Sequence, residues 1–213
     1  GKIKPFAVTQ LLALMKSGQC TDFHQFSLTA DDIQTFWEPA TQAVLLAAAT
    51  LRDNFGVANA SYLPYETFIT LLAYYFQKSG NRSLPPKHFE WVRRWFWRSA
   101  FTYRYGSGGN TRIGQDRDLF DKLIAGEAPT FEPALQRTEA DLVHARMTTT
   151  TSALRNAFLC MLCVQRPTNL RNNAELNLVN GSIWDFTSPE KHHILPQAFL
   201  GEQIPFGMIT RAV

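Results

Sequence analysis

The amino-acid sequence predicts a mainly α-helical fold that ends in a short segment of mixed helix and strand. Through the first 166 residues, apolar side chains recur at the three- and four-residue spacing of one helix face. From residue 167 onward, asparagines and a glycine separate short apolar pieces such as residues 176–179 and 183–186, which is typical of brief strands and turns. We therefore expect a multi-helical domain over residues 1–166 and a short α+β unit over residues 167–213.

Length and composition predict a folded protein of the cytoplasm. The chain has 213 residues, of which 45% are apolar, and this is enough for a substantial core. No apolar run approaches the roughly 18 residues of a membrane span. Three cysteines, Cys20, Cys160 and Cys163, leave one thiol over in any disulfide pairing, which favours a reducing compartment. The net charge of +3 permits binding to nucleic acid without demonstrating it.

Two helices are expected in the first quarter of the chain. The first covers residues 6–15 and stops at Gly18. Hydroxyl and carboxylate side chains in residues 27–32 can cap the start of a second helix that reaches Leu51, and Gly56 closes it. Pro39 lies inside this helix and predicts a break or kink, because proline lacks the N–H group that a helix interior needs. The part after Pro39 is nearly all apolar and should lie centrally in the core.

Two more helices are expected between residues 64 and 103. Pro64 suits the first turn of a helix that ends at Ser79-Gly80-Asn81. The pair Pro85-Pro86 then starts another helix over about residues 87–103.

Aromatic and arginine residues interleave in the second of these helices. At helical spacing, Trp91, Trp95 and Phe96 share a side that we expect to be buried. Arg94 and Arg98 form an i, i+4 row on another side. The alternative is a nucleic-acid surface, on which guanidinium groups contact phosphates and rings stack on bases. The candidate DNA contacts are Arg93, Arg94, Arg98 and Arg104.

The glycine-rich stretch 105–111 has the flexibility to wrap a phosphate group. It lacks the Gly-Lys-Ser/Thr ending of a P-loop, however, and follows no clear strand. We interpret it as a mobile connection to a helix over about residues 116–124. A mixed helix over about residues 134–146 is expected next.

The last helix is strongly apolar, is capped by the hydroxyl-rich residues 148–152, and contains Cys160-Met161-Leu162-Cys163. This spacing is found in redox and zinc sites. Redox pairs usually sit at a helix N-terminus, however, and a zinc site needs two more ligands. We therefore expect Cys160 and Cys163 to be buried, unreactive thiols.

Near the C-terminal end, the chain reads Pro189-Glu190-Lys191-His192-His193-Ile194-Leu195-Pro196-Gln197. Two adjacent imidazoles can divide two tasks, since one can hold a metal ion while the other moves a proton. Two of five histidines can also fall together by chance on a solvated loop. Both rings can serve one site only where a strand ends or bulges, and Pro196 is consistent with such an ending.

The run from Lys191 to Gln197 resembles the first strand of the ββα-metal, or HNH, endonuclease finger. It is similar in particular to the C-terminal part of the GmrSD-type restriction endonucleases, which attack modified foreign DNA. The resemblance covers roughly residues 40–200 and implies a role in restriction-modification and phage defence. It extends upstream to Tyr62-Leu63-Pro64-Tyr65-Glu66, Trp95-Phe96-Trp97-Arg98-Ser99-Ala100-Phe101 and Arg104-Tyr105-Gly106-Ser107.

The resemblance implies metal-dependent hydrolysis of phosphodiester bonds in DNA. His193 matches the general base that takes a proton from water, and His192 matches a position that is often a metal-binding Asp. Imidazole is a softer ligand than carboxylate, so manganese, nickel or zinc should be tolerated at least as well as magnesium. Glu190 either orients one imidazole from the second coordination sphere or is an exposed turn residue.

A complete finger also needs a second strand and a helix that supply Asn and His side chains. Residues 194–213 contain no Asn, Asp or His, and only Glu202 there could bind a cation. The nucleotide-sensing signature of the family has no match, and the chain opens at Gly1 without a signal peptide. We therefore interpret the chain as a fragment with an incomplete finger and expect it to be inactive alone.

Two other functional classes stay open. The first is a non-catalytic helical module that binds DNA through its arginines, or that binds another protein. The second is a structural spacer between a sensing domain and a nuclease domain. DNA binding with a steep salt dependence that survives substitution of both histidines favours the DNA-binding module, whereas a spacer binds neither DNA nor metal. The sequence does not determine the oligomeric state.

Overall fold

In a computed structural model, the described part of the chain forms seven α-helices and one short 3-10 helix. The structure describes residues 5–106, 108–133, 152–168 and 171–173. The helices are α1 Pro5–Ser17, α2 Asp22–Phe26, α3 Ala30–Phe55, α4 Thr67–Ser79, α5 Pro86–Phe101, α6 Gly109–Ile124 and α7 Ala153–Val164. The 3-10 helix η1 covers Ala60–Tyr62. The predicted mainly α character is confirmed for the described part of the chain.

Several predicted helix ends are confirmed because local sequence determines them. Thr29 caps α3 in a capping box, in which its hydroxyl accepts from the Asp32 backbone N–H while the Asp32 carboxylate accepts from the Thr29 N–H. Gly56 and Gly80 end α3 and α4 with φ of 68°, a left-handed conformation that glycine adopts without the usual Cβ penalty. The Ser152 hydroxyl caps α7 by accepting from the Arg155 N–H.

Of the break or kink expected at Pro39, the break is wrong, since α3 runs without interruption from Ala30 to Phe55. Pro39 removes one helix hydrogen bond, but its ring lies on the solvent-exposed side of the helix. The carbonyl group that loses its N–H partner can there be hydrated, and the packing of α3 against α1 and α4 holds the helix together.

Two other helix starts differ from the expectation. α6 begins at Gly109 rather than near residue 116, because Gly108 adopts a left-handed φ of 64° that turns the chain directly into the helix. α4 begins at Thr67, so Pro64 lies just before the helix instead of in its first turn. The helix expected over residues 134–146 and the strands expected after residue 173 lie outside the described residues.

α4 is the central helix of the described part of the chain. It packs against α1, α3 and α6, and residues 67–76 are all buried. A helix that is apolar on all sides is stable only when neighbours surround it, and this is the position that α4 occupies. α7 packs across α5, η1 and the C-terminal end of α3. Within the described ranges, no helix combines the length and apolarity needed to cross a membrane.

Aromatic rings join α3, α4 and α5 in the core. The ring centroid of Phe96 on α5 lies 4.6 Å from that of Phe55 and 4.5 Å from that of Phe68. Trp95 meets Phe68 edge to face at 5.1 Å. Such ring pairs stabilise the folded protein by more than the burial of their apolar area alone accounts for. Phe55, Phe68, Trp95 and Phe96 are fully buried, and they fix the side of α5 that faces the core.

Substitution of Gly56 tests the contact between the end of α3 and α7. A Cβ atom at Gly56 would overlap the Cys160 carbonyl oxygen, whereas a Cβ at Gly80 meets nothing within 4 Å. Both positions have φ of 68°, so the backbone penalty is the same. We expect Gly80→Ala to lower the free energy of unfolding by about 1 kcal/mol, and Gly56→Ala to lower it by a further ~1–3 kcal/mol. Urea denaturation measures both, and equal losses would contradict the contact.

Candidate functional site

The predicted catalytic motif lies outside the described residues. His193, the predicted general base, His192, the predicted metal ligand, and Glu190 all belong to this part of the chain, so their geometry stays a prediction. Among the residues that the structure does describe, no three His, Cys, Asp or Glu side chains gather as potential metal ligands. The described candidate site is therefore the arginine-bearing helix α5.

Helix α5 has one buried and one exposed side, as the residue spacing predicts. Trp91, Trp95 and Phe96 are buried, which confirms the predicted core side. Arg94 and Arg98 are exposed on the opposite side, and Arg93 is exposed beside them. This split follows from the helical period, because residues four positions apart share a side.

The exposed arginines differ in their partners. The Arg93 Nη2 lies 2.7 Å from the Glu90 carboxylate, three residues earlier on the same helix. The Arg98 Nη1 donates to the Phe131 carbonyl at 2.8 Å and lies 3.7 Å from the Glu132 carboxylate. Arg94 has no ion-pair partner within the described ranges. Surface ion pairs contribute little to stability, so Arg93 can readily exchange its pairing with Glu90 for a contact with a phosphate.

Two aromatic side chains lie at the border of the arginine face. Trp97 and Phe101 are half-buried, and their rings stack with centroids 6.2 Å apart and an interplanar angle of 27°. Together with Arg94 and Arg98 they occupy positions i, i+3, i+4 and i+7 of α5, which share one side of a helix. The expectation from the sequence assigns only Trp91, Trp95 and Phe96 among the aromatic residues to a side of this helix, but the same spacing rule places Trp97 and Phe101 with Arg94 and Arg98.

Arg104 follows α5 and has a different environment from the other three arginines. Its Nε lies 3.0 and 2.8 Å from the two carboxylate oxygens of Asp116, and Nη2 donates to the same carboxylate. The Arg104 side chain is 14% exposed and the Asp116 side chain is 0% exposed. A buried carboxylate needs such a partner, because an unpaired buried charge is strongly destabilising. The structure therefore separates Arg104, as a packing residue, from the exposed arginines.

Asp116 also accepts hydrogen bonds from two aromatic side chains. The Trp95 Nε1–H donates to Asp116 Oδ2 at 3.0 Å, and the Tyr105 hydroxyl donates to the same oxygen. Burial and then the neighbouring Asp116 carboxylate raise the pKa of the Tyr105 hydroxyl well above its usual value, so Tyr105 remains a proton donor. The carboxylate thereby ties α6 to α5 and to the turn that follows α5.

The segment after α6 runs beside α5 and holds two of its side chains. The Trp91 Nε1–H donates to the Pro129 carbonyl at 2.5 Å, and Arg98 donates to the Phe131 carbonyl. The Arg104 guanidinium lies 5.1 Å from the centroid of the Phe131 ring, within cation–π range. These contacts anchor the Arg98 side chain at the edge of the exposed face.

The prediction that both cysteines of α7 are buried holds for Cys160 only, because Cys163 is half-buried. Cys160 is fully buried, and its Sγ donates to the Tyr62 carbonyl at 3.2 Å. Burial raises the pKa of the Cys160 thiol well above its usual value and that of Cys163 to about 11. Both thiols therefore remain protonated near neutral pH.

A shallow groove of about 420 Å³ lies elsewhere, between α3 and the C-terminal end of α4. Its lining includes the polar side chains of Glu38, Gln42 and Arg82 and the ring of Phe76. None of the four candidate arginines, which all lie in the described part of the chain, lines this groove.

Comparison with protein families, curated proteins and solved structures gives no match to this chain.

Paired arginine substitutions distinguish the packing residue from the surface residue. Arg104→Gln leaves the buried Asp116 charge without its cation, so we expect the free energy of unfolding to fall by about 3–5 kcal/mol. Arg94→Gln alters an exposed side chain and should change that free energy by less than about 0.5 kcal/mol. Chemical denaturation monitored by circular dichroism measures both variants. Similar small losses in the two variants would contradict the role given to the Arg104–Asp116 pair.

Proposed function

We propose that this chain is part of a metal-dependent endonuclease that hydrolyses phosphodiester bonds of foreign or modified DNA. The observation that carries the reaction class is the run Lys191–Gln197, through its resemblance to the HNH finger of GmrSD-type restriction endonucleases. The helical domain contributes a basic surface on α5 that supports contact with the DNA backbone. The proposal thus assigns DNA binding to α5 and phosphodiester hydrolysis to the histidine motif near the C-terminal end.

In the proposed reaction, His193 acts as the general base. A neutral imidazole accepts a proton from the attacking water, and the resulting hydroxide attacks the phosphorus as the bond to the leaving oxygen breaks. His192 is the proposed metal ligand, and Glu190 is the residue that we propose to orient one of the imidazoles. A bound divalent cation, such as manganese, magnesium, nickel or zinc, would neutralise charge on the scissile phosphate and on the leaving oxygen.

The α5 face suits the phosphate backbone better than base edges. Its cations, Arg93, Arg94, Arg98 and Lys87, are exposed, and within the described residues only Arg93 and Arg98 form ion pairs, with Glu90 and Glu132. Guanidinium groups bind phosphate oxygens with two donors, and such contacts hold a nucleic acid in position without reading its sequence. We therefore assign sequence-independent DNA affinity to α5.

A protein-binding module is the second candidate function. Three large apolar side chains on α2 and α3 are strongly exposed: Phe23 is 76%, Phe26 is 88% and Trp37 is 53% accessible. Phe23 and Phe26 are three residues apart and therefore share one side of α2, and contiguous exposed apolar surface is typical of interaction sites. This candidate requires neither DNA nor a metal ion, and DNA-binding measurements therefore discriminate between the two functions.

Removal of one surface arginine tests the DNA contact. DNA affinity falls as the salt concentration rises, because the protein's cationic side chains displace counterions from the DNA phosphates. Each phosphate contact adds about 0.9 to the magnitude of the slope of log K against log salt concentration. We expect Arg94→Gln to weaken duplex binding and to reduce that slope by about 1. Lys16→Gln is the control, since it removes the same charge from α1, where Lys16 pairs with Asp32. An unchanged slope in Arg94→Gln would exclude Arg94 as a phosphate contact.

Plasmid cleavage by the full-length protein tests the assigned reaction. With manganese or magnesium, we expect His193→Ala to reduce the cleavage rate by about 10²–10⁴-fold, because the general base is lost. His24→Ala is a matched control on α2, where the imidazole bonds only to the Thr21 hydroxyl among the side chains described. EDTA should abolish cleavage in every variant, and added metal should restore it. Unchanged cleavage by His193→Ala would refute the general-base assignment.

A further inference from the structure

Two aromatic side chains of α5 pack against the edge of the core and are only partly buried. Trp91, Val92, Trp95 and Phe96 supply the buried side of the helix. Trp97 and Phe101 lie outside this set and keep part of their rings accessible. Leaving large apolar rings in contact with water gives up roughly 25 cal/mol per Å² of the burial free energy. A stacked pair in this position therefore contributes less to stability than two aromatic residues of the core.

The indole groups of α5 show the same division. Trp91 and Trp95 are buried, and their N–H groups are satisfied by the Pro129 carbonyl and by Asp116. The Trp97 N–H has no hydrogen-bond partner within the described part of the chain, and it is not among the buried polar atoms that lack one, so it is in contact with solvent. Trp97 is thus the tryptophan of α5 whose polar edge is available to a ligand.

Arginine side chains border the aromatic pair. Arg94 precedes Trp97 by three residues, and Arg98 precedes Phe101 by three, so cations and rings alternate along one side of the helix. The rings are held in place, because Trp97 meets Phe96 edge to face at 4.9 Å and stacks on Phe101. Arg98 is held by the Phe131 carbonyl. A surface that is ordered before binding loses little side-chain entropy when a ligand arrives.

We propose that Trp97 and Phe101 form a stacking platform for unpaired bases, with Arg94 and Arg98 on the adjacent phosphates. This inference rests on the proposed contact between α5 and DNA, and it specifies the form of DNA that is bound. Bases of an intact duplex are stacked on one another, so their faces are not accessible to an aromatic side chain. In a single strand or a locally opened duplex, the faces are free, and stacking adds to the electrostatic attraction.

The platform predicts different effects on the two forms of DNA. The arginines attract phosphates of both forms, whereas the rings act only on unpaired bases. Removal of a ring should therefore weaken single-stranded binding selectively, and removal of an arginine should weaken both forms together.

Fluorescence anisotropy with a labelled single-stranded oligonucleotide and the duplex of the same sequence tests this proposal. We expect the single strand to bind more tightly than the duplex. Trp97→Ala should weaken single-stranded binding on the order of 10-fold, while duplex binding changes by less than about 2-fold. Trp97→Phe should keep most of the affinity, because it retains an aromatic face. Phe101→Ala should produce the same selective loss and provides a second variant if Trp97→Ala does not fold.

Trp37→Ala is the matched control, because it removes another exposed tryptophan. Trp37 lies 18 residues before Phe55 on α3, which is about 27 Å along the helix axis from the end that packs on α5. It should leave both affinities unchanged. Equal losses for single strand and duplex in the Trp97 and Phe101 variants, or a wild-type preference for duplex, would overturn the platform while leaving the DNA contact of α5 intact. Absence of binding to either form at low salt would overturn both proposals.

Discussion

The buried Asp116 carboxylate is the constraint on which the arrangement of α5 depends. It has no solvent-accessible surface, and it accepts hydrogen bonds from Arg104, Trp95 and Tyr105. The transfer of a lone carboxylate from water into a protein interior is unfavourable by several kcal/mol, so these three donors must stay in place when the chain folds. Trp95 belongs to α5 and Asp116 to α6, and the network therefore fixes the rotation of α5 about its axis.

This fixed rotation decides which side chains α5 presents to solvent. With Trp95 and Phe96 directed into the core, the helical period places Arg94, Trp97 and Arg98 on the outer side. The network also uses the charge of Arg104, which would otherwise belong to the same basic surface. The surface that we propose for DNA therefore contains three of the four candidate arginines, without Arg104. Two aromatic side chains border it, and the positions of the charges alone do not predict them.

The proposed contact and the proposed chemistry make different physical demands. Affinity for a polyanion needs exposed cations held at a helix surface, and α5 meets this need with few carboxylates nearby. Hydrolysis needs a base and a metal ligand at close range, and these tasks are assigned to His193 and His192 outside the described residues. A division of this kind allows a helical domain to hold DNA in a fixed position while a separate segment carries out the reaction.

The sequence by itself determined the features that depend on neighbouring residues. The capping of α3 at Thr29, the left-handed ends at Gly56 and Gly80, and the buried side of α5 were all predictable, because caps and helical periodicity act within a few residues. Only the tertiary structure decided that Arg104 pairs with Asp116, twelve residues later, and that Arg98 bonds to the Phe131 carbonyl. It also decided that α3 continues through Pro39, since packing against α1 and α4 offsets the lost hydrogen bond. The partner of a buried charge depends on which helices pack together, and this information is absent from the local pattern of residues.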